Sequence, residues 1–161
     1  MVRLLEDNDV KDIMEYEIRN VIRNGKEFFC DIEMNKMYLS NAPLLRRCMF
    51  DGNIMFAGEY DEDGNLLKMC MFAFPYQLTK STVIKIFFCN KDSAFVKECI
   101  DVLSEFIEGT IYSKIRITTY GDNNKESLLP IYKACEMKEE SCILTNAGVR
   151  YVYSKFIGET A

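Results

Sequence analysis

The residue types available for chemistry in this chain are limited, because the sequence contains no histidine. This absence excludes serine–histidine–aspartate and cysteine–histidine catalysis, and also the zinc sites that are built on paired histidines. No phosphate-binding loop of the G-x-x-x-x-G-K-S/T type occurs either. Any proton transfer must therefore use glutamate, aspartate, lysine, tyrosine, cysteine or water.

Tyr132 is the tyrosine whose position could support such chemistry. It lies in the segment 127–141, SLLPIYKACEMKEES, which has the pattern of an amphipathic helix followed by a strand. Leu128, Ile131 and Cys135 share its helical face, at the spacing of a buried stripe. A tyrosine on such a stripe either packs in the core with its hydroxyl on a polar partner, or donates a proton. The spacing favours packing and leaves both interpretations open.

The seven cysteines form no recognisable binding or cross-linking pattern. Their number is odd, they are widely spaced, and no C-x-x-C pair occurs. Neither a disulfide framework nor a zinc cluster is expected, and no metal site is predicted. Most have apolar neighbours, which is typical of small buried side chains. The cysteines are Cys30, Cys48, Cys70, Cys89, Cys99, Cys135 and Cys142.

The composition is that of one globular domain over residues 1–161, with 48% hydrophobic and 28% charged residues. The net charge of -5 disfavours nucleic acid, because an acidic chain repels phosphate backbones. The longest apolar segment, residues 69–76, is too short to span a membrane. Residues 1–12 lack the pattern of a signal peptide. We therefore expect a cytoplasmic protein with no membrane or nucleic-acid partner.

Hydrophobic periodicity predicts an α/β protein whose mixed sheet carries helices on both faces, in the order β-α-α-β-β-β-α-β-α-β-β. Asp63 and Gly64 mark a hairpin turn, Gly25 ends the first helix, and Asp92 or Ser93 caps the third. The predicted strands cover residues 2–6, 53–60, 66–74, 81–90, 113–120, 140–145 and 150–157. The predicted helices cover residues 7–25, 26–39, 91–109 and a segment beginning near Ser127, after a loop at 121–124.

This element order, at this length, resembles the GNAT superfamily of N-acetyltransferases across nearly the whole chain. The segment NNKESLLPIYKACEMKEES is similar to the family's late helix, which has the pattern Asn…Leu-Tyr-x-x-x-Gly-Phe followed by acidic residues. Tyr132 falls on the family's tyrosine, whereas Glu136 and Met137 replace the glycine and the phenylalanine. The resemblance implies that Tyr132 protonates the leaving coenzyme A thiolate and that Asn124 contacts the cofactor.

The chain departs from the family pattern at the loop that binds the coenzyme A pyrophosphate. In the family, a glycine-containing loop and the start of the next helix present backbone N–H groups to the anion. The matching segment here, IFFCNKDSAFVKECIDVL, has no glycine. Asp92 would place a carboxylate beside the phosphates, Phe95 is bulky, and the same residues could form only a capped helix start. The cofactor contacts implied by the resemblance are Phe88, Cys89, Ser93, Ala94, Phe95, Val96, Lys97 and Asn124.

The resemblance also implies a general base on a central strand, for which Glu59 is the candidate. With residues 61–63 it forms an acidic cluster that could attract an amine, although an exposed hairpin turn has the same composition. Lys85 either lines the cleft or extends to the sheet edge. Pro130 predicts that the last helix begins late, near Ser127, or is kinked.

Three functional hypotheses follow. The first is an N-acyltransferase that uses acyl-CoA, specifically acetyl-CoA, and no metal. A small-molecule or peptide amine would attack the thioester directly, with the oxyanion held by backbone N–H groups of the FFCN strand. The second is a catalytically inactive GNAT-like ligand-binding or interaction module that has lost efficient coenzyme A binding. The third is an interaction protein whose exposed last strand, residues 150–157, pairs with a second copy in a homodimer.

Overall fold

A computed structural model describes residues 1–20, 27–34, 40–76 and 78–157 of the chain. The elements are β1 (Val2–Leu4), α1 (Val10–Asn20), β2 (Phe28–Cys30), α2 (Ala42–Phe50), β3 (Ile54–Tyr60), β4 (Leu66–Ala73), β5 (Val83–Asn90), α3 (Ser93–Phe106), β6 (Lys114–Tyr120), α4 (Asp122–Ala134), β7 (Lys138–Thr145) and β8 (Gly148–Phe156). None of these helices is long and apolar enough to cross a membrane.

All the described strands belong to one mixed sheet. Its order is β1-β3-β4-β5-β6-β8-β7, and β2 pairs with β5 outside this path. β5 and β6 are parallel, and α3 connects them, whereas the other neighbouring strands are antiparallel. The predicted mixed α/β sheet is therefore confirmed.

The helices cover the two faces of this sheet unequally. α3 and α4 pack on one face, above the central strands and β8. α1 and α2 pack on the other face, where the core contains residues of β2, β3, β4 and β5. Among the described residues, this second core includes none from β6, β7 or β8. The half-sheet β6-β8-β7 therefore has one face packed against α4 and one face without a described helix.

Two local predictions of turns and caps are confirmed. The turn at Asp63 and Gly64 joins β3 to β4, and Gly64 has a φ of +81° that suits glycine. Asp92 is the N-cap of α3, with backbone in the extended region and its side chain accepting from Phe95 N. Both features depend on a few adjacent residues, which explains why the local sequence indicates them.

The predicted helix at residues 26–39 is wrong where the structure describes it. Phe28–Cys30 form a strand, and the second helix is Ala42–Phe50, for which the sequence analysis predicts no helix. Three apolar residues are too few to distinguish a strand from a helix by period, so the pairing with β5 decides. Residues 35–39 and the helix stop expected at Gly25 lie outside the described residues.

The last helix begins earlier than predicted. The expected loop at 121–124 is wrong, because α4 starts at Asp122 directly after Gly121, whose φ is +85°. Pro130 lies inside the helix. Its ring removes the donor that would bond the Glu126 carbonyl, but both residues are exposed, so water can reach that carbonyl. The proline therefore does not delay the start of the helix.

The last strand does not lie at the edge of the sheet. β8 is hydrogen-bonded to β6 on one side and to β7 on the other. The predicted pairing of residues 150–157 with a second copy is therefore wrong, because both edges of that strand are occupied within the chain. The edge strands of the main strand order are β1 and β7, and β2, outside that order, pairs with β5 alone among the described strands.

Candidate functional site

The candidate site lies where the parallel strands β5 and β6 diverge. They pair only at residues 83–85 and 114–116. Beyond that point β6 leaves β5, and the edge of β5 is occupied by β2, with Phe29 opposite Cys89. The gap between the middle strands is therefore filled by a short strand of the same chain.

Hydrogen bonds at both ends of β2 hold it against β5. Asp31 N donates to the Phe87 carbonyl at 2.8 Å, and Lys91 N donates to the Glu27 carbonyl at 2.9 Å. Bonded pairs in an antiparallel ladder recur at every second residue, which places the backbone groups of Cys89 in the same ladder. The backbone donors expected to stabilise an oxyanion therefore bond to β2 instead.

The N-terminus of α3 is capped by its own aspartate. Asp92 Oδ1 accepts from Phe95 N at 3.0 Å. Lys68 Nζ donates to Asp92 Oδ2 at 2.6 Å. This bond from Lys68 is the largest cause of a lowered pKa at Asp92, followed by the bond from Phe95 N. The helix start thus already holds a paired anion.

The residues present at this site do not fit coenzyme A in the arrangement implied by the GNAT resemblance. A pyrophosphate needs free N–H groups at the start of α3, where Asp92 already accepts from Phe95 N and adds negative charge. The acyl-bearing arm would lie in the gap between the middle strands, where β2 is paired. Phe95, expected to obstruct the loop, is not the obstacle, because its side chain is buried in the core.

Tyr132 lies in the core beneath this site. Its side chain is 2% exposed, and its ring stacks on Tyr153 with centroids 3.7 Å apart. Its hydroxyl is buried and has no hydrogen-bond partner among the described residues. Burial raises the pKa of Tyr132, and Tyr153 and Cys89 raise it further. The Tyr132 ring thus packs against Tyr153, and its buried hydroxyl has no acceptor among the described residues.

Glu136 explains why the family pattern has a glycine at its position. It has a φ of +56°, the left-handed conformation that commonly ends a helix, and it follows α4 by one residue beyond the cap at Cys135. Glycine adopts this conformation without the steric cost that other residues carry. The backbone turn is thus retained here without the glycine.

Glu59 and Tyr132 are not brought together. Glu59 forms ion pairs with Lys68 at 3.9 Å and with the N-terminal ammonium of Met1 at 3.7 Å. It lies on β3, two strands from β5, a separation of about 10 Å. Glu59 thus belongs to the charge network around Lys68 and Asp92.

The other predicted cofactor contacts divide between core and surface. Phe88, Cys89 and Val96 are fully buried, whereas Ala94 and Lys97 are exposed and Ser93 is half-buried. Burial also raises the pKa of the Cys89 thiol, which disfavours the thiolate that covalent catalysis needs. No three cysteine, aspartate or glutamate side chains of the described residues are placed to bind a metal.

A small cavity of about 210 Å³ is what the structure leaves of the gap between β5 and β6. It is bounded by β2, Lys91, the end of β6 and the start of α4, including Asn124. Asn124 Nδ2 donates to the Tyr120 carbonyl at 2.7 Å, so the predicted cofactor contact supports the strand–helix turn.

A polar groove on the uncovered face of the half-sheet contains residues that the sequence analysis missed. Arg116 and Arg150 line it together with Lys85, within a volume of about 320 Å³. The alternation of Lys114, Arg116, Thr118 and Tyr120 along KIRITTY is a sequence signal for one polar face. The sequence cannot show that Arg150 joins them, because its position depends on the pairing of β6 with β8.

Comparison with known proteins supports the fold. No protein-family model matches this sequence, and no curated protein matches it. The structure is similar to a ribosomal-protein-S5-alanine acetyltransferase from Vibrio fischeri, with a TM-score of 0.69 and 9% identity over 96% of this chain and 91% of that one. It is also similar to a spermidine N-acetyltransferase from Vibrio cholerae in a dodecameric structure (TM-score 0.63, 13% identity, 98% and 93% covered). A probable acetyltransferase from Staphylococcus epidermidis aligns over 97% of this chain and 98% of that one (TM-score 0.64, 12% identity). The chain has the GNAT acetyltransferase fold.

Proposed function

We propose that this chain is a noncatalytic ligand-binding module built on the GNAT acetyltransferase fold. The observation that carries the proposal is the cap at the start of α3. Asp92 accepts from the amide of Phe95, and Lys68 neutralises it. A phosphate ligand at this position would have to displace a bonded carboxylate or lie against it, and both are unfavourable.

The pairing of β2 supports the same conclusion independently. The edge of β5 beyond Lys85 is bonded to residues of the chain itself, and Phe29 is 6% exposed within the main core. Withdrawing β2 would break backbone hydrogen bonds and expose a buried phenylalanine, which costs about 3 kcal/mol or more. An acyl-CoA ligand would have to supply this free energy before it gained affinity.

Calorimetric titration with acetyl-CoA, run beside desulfo-CoA and free pantetheine, tests the proposal. We expect no saturable binding of acetyl-CoA, corresponding to a Kd weaker than about 1 mM. Micromolar binding of acetyl-CoA that pantetheine does not reproduce would contradict the proposal, because it would require a functional pyrophosphate site.

A second candidate function, an acetyl-CoA-dependent N-acyltransferase acting on an amine, is favoured by one observation. The Tyr132 hydroxyl is buried and has no acceptor among the described residues. A buried unpaired hydroxyl is unfavourable, so a role in chemistry would account for its retention. Release of free thiol from acetyl-CoA in the presence of an amine panel, lost in Tyr132→Phe, would establish this candidate.

A further inference from the structure

The uncovered face of β6 and β8 presents a row of cationic side chains. Residues of one strand face alternate sides, and the pairing of β6 with β8 aligns Lys114 with Phe156, Arg116 with Ser154 and Tyr120 with Arg150. Lys85 of β5 lies opposite Arg116 and therefore projects from the same face. Three strands thus contribute positive charge to one surface of an acidic protein.

Only part of the Arg116 guanidinium is hydrogen-bonded to described residues of the protein. Its Nη2 donates to Glu140 Oε2 at 3.2 Å, and Glu140 also accepts from Lys114. Its Nε is buried and has no hydrogen-bond partner among the described residues. A guanidinium binds an anion best through parallel Nε–H and Nη–H donors, and the Nε–H of Arg116 is a donor that no described residue accepts from.

Arg150 has fewer bonded partners among the described residues than Arg116 has. None of the ion pairs among the described residues includes Arg150, and its Nε is also buried without a hydrogen-bond partner there. Arg3 provides the contrast within the same molecule, since it binds both carboxylate oxygens of Asp9, at 2.9 and 2.8 Å. The Arg150 guanidinium therefore has no anionic partner among the described residues, and a ligand anion could bind it.

The groove that these residues line has the size and charge of a small-anion site. Its volume is about 320 Å³. Its lining carries three cations, Lys85, Arg116 and Arg150, against two carboxylates, Glu33 and Glu140. Lys85 Nζ forms an ion pair with Glu33 Oε2 at 3.0 Å, and Arg116 forms one with Glu140. The hydroxyls of Thr118 and Ser141 add neutral donors between the charged ends.

We propose that this groove binds a small organic anion, with a carboxylate or phosphate group held by Arg150 and by the free donor of Arg116. The inference rests on the proposed function, since it names the ligand class of the noncatalytic module. A polyamine is the wrong ligand for this groove, because unpaired guanidinium groups repel a polycation.

Calorimetric titration of the full chain with succinate, inorganic phosphate and spermidine tests the groove. We expect succinate or phosphate to bind with a Kd on the order of 1 mM or tighter, weakening as NaCl is raised, and spermidine not to bind there. Comparing succinate with phosphate distinguishes a carboxylate ligand from a phosphate ligand.

Three variants locate the binding. Arg150→Met should weaken anion binding about tenfold or more, the loss expected for a charge-assisted hydrogen-bond pair. Glu33→Gln should strengthen it several-fold, because it frees Lys85 and removes a competing carboxylate. Arg46→Met is the matched control, since Arg46 is half-exposed and pairs with Asp7 outside the groove, and it should bind as the parent chain does.

The possible results separate this inference from the proposed function. Equal anion affinity in Arg150→Met and Arg46→Met, or no binding of either anion, would contradict anion binding in this groove. Neither result would change the interpretation of the acetyl-CoA titration. Tight acetyl-CoA binding that persists in Arg150→Met overturns the proposed function while the succinate titration still reports on the groove. Succinate or phosphate binding lost only in Arg150→Met supports the inference.

Discussion

The two sides of the sheet near its divergent strands differ in how their hydrogen-bond donors are used. On the α3 side, the amide of Phe95 bonds to Asp92 and the edge of β5 bonds to β2. On the uncovered side, the Nε groups of Arg116 and Arg150 are buried without partners among the described residues. On the first side a carboxylate of the chain bonds the helix start, whereas on the second side two guanidinium groups have donors without a partner among the described residues.

This difference shows that a fold does not by itself assign the binding site. The GNAT-like sheet provides a helix N-terminus that is suited to phosphate in general. In this chain, Asp92 accepts from an amide of that helix start, and Lys68 pairs with Asp92. The opposite face acquires its cations from three strands that only the sheet brings together. We therefore expect changes on the filled side to alter stability and changes on the open side to alter binding.

The largest effect should come from Phe29→Ala in β2. Phe29 is 6% exposed in the main core, so truncation should lower the free energy of unfolding by about 3 kcal/mol or more. Ile32→Ala is the matched control, because Ile32 is 65% exposed, and it should change stability by less than about 0.5 kcal/mol. Urea denaturation measures both, and equal losses would show that β2 is not fixed in the gap.

The next effect concerns the cap of α3. Asp92→Ala should lower the free energy of unfolding by about 1 kcal/mol, because the helix amide of Phe95 loses its acceptor. Asp92→Asn retains a capping oxygen and loses only the charge beside Lys68, so its loss should be smaller. Thermal melts of the two variants provide the comparison, and an equal loss in both would assign the effect to charge rather than capping.

The lowered pKa of Asp92 predicts that the stability of the protein depends on pH. The pKa of Asp92 is lowered, first by the bond from Lys68, so the folded chain binds this proton less readily than the unfolded chain. Its contribution is therefore complete above the unfolded pKa near 4 and is lost as pH falls through the folded pKa. The stability difference between the parent chain and Asp92→Asn should shrink as pH falls below about 4. A difference that is constant from neutral to acidic pH would contradict this assignment.

Tyr132→Phe tests whether the unpaired hydroxyl lowers the free energy of unfolding. Removing it should leave stability unchanged or raise it by up to about 1 kcal/mol, because no hydrogen bond to a described residue is lost. Tyr16→Phe is the control, since the Tyr16 hydroxyl bonds to Asn90 at 3.0 Å, and it should lower stability by about 1 kcal/mol. Similar losses in both variants would indicate that Tyr132 also has a bonded partner.

The smallest stability effect should come from Arg150→Met on the open side. Arg150 has no ion pair with a described residue, so its replacement should change the free energy of unfolding by less than about 0.5 kcal/mol. A large loss of stability would mean that Arg150 serves the fold rather than a ligand.

The sequence predicts most of the element order but only part of the site. The strands and helices with long periodic patterns, such as β5 and α3, are confirmed, and so is the cap at Asp92. β2 and α2 are missed because three residues carry no period and because α2 is short and begins at an alanine and a proline. The sequence indicates Tyr132 and Glu59 by separate patterns. In the structure they lie apart, with Glu59 beside Lys68 and Tyr132 against Tyr153.

The sequence alone determined the local features of this protein: the lack of histidine chemistry, the capped start of α3, the hairpin at Gly64 and the buried stripe that contains Tyr132. These depend on residues within one or two turns of each other, so short-range sterics and hydrogen bonding specify them. The tertiary structure decided that Phe28–Cys30 become a strand, that Lys68 reaches Asp92, and that Arg116 and Arg150 share a groove. Each of these depends on strand pairing between residues distant in the chain, and no local pattern encodes that register.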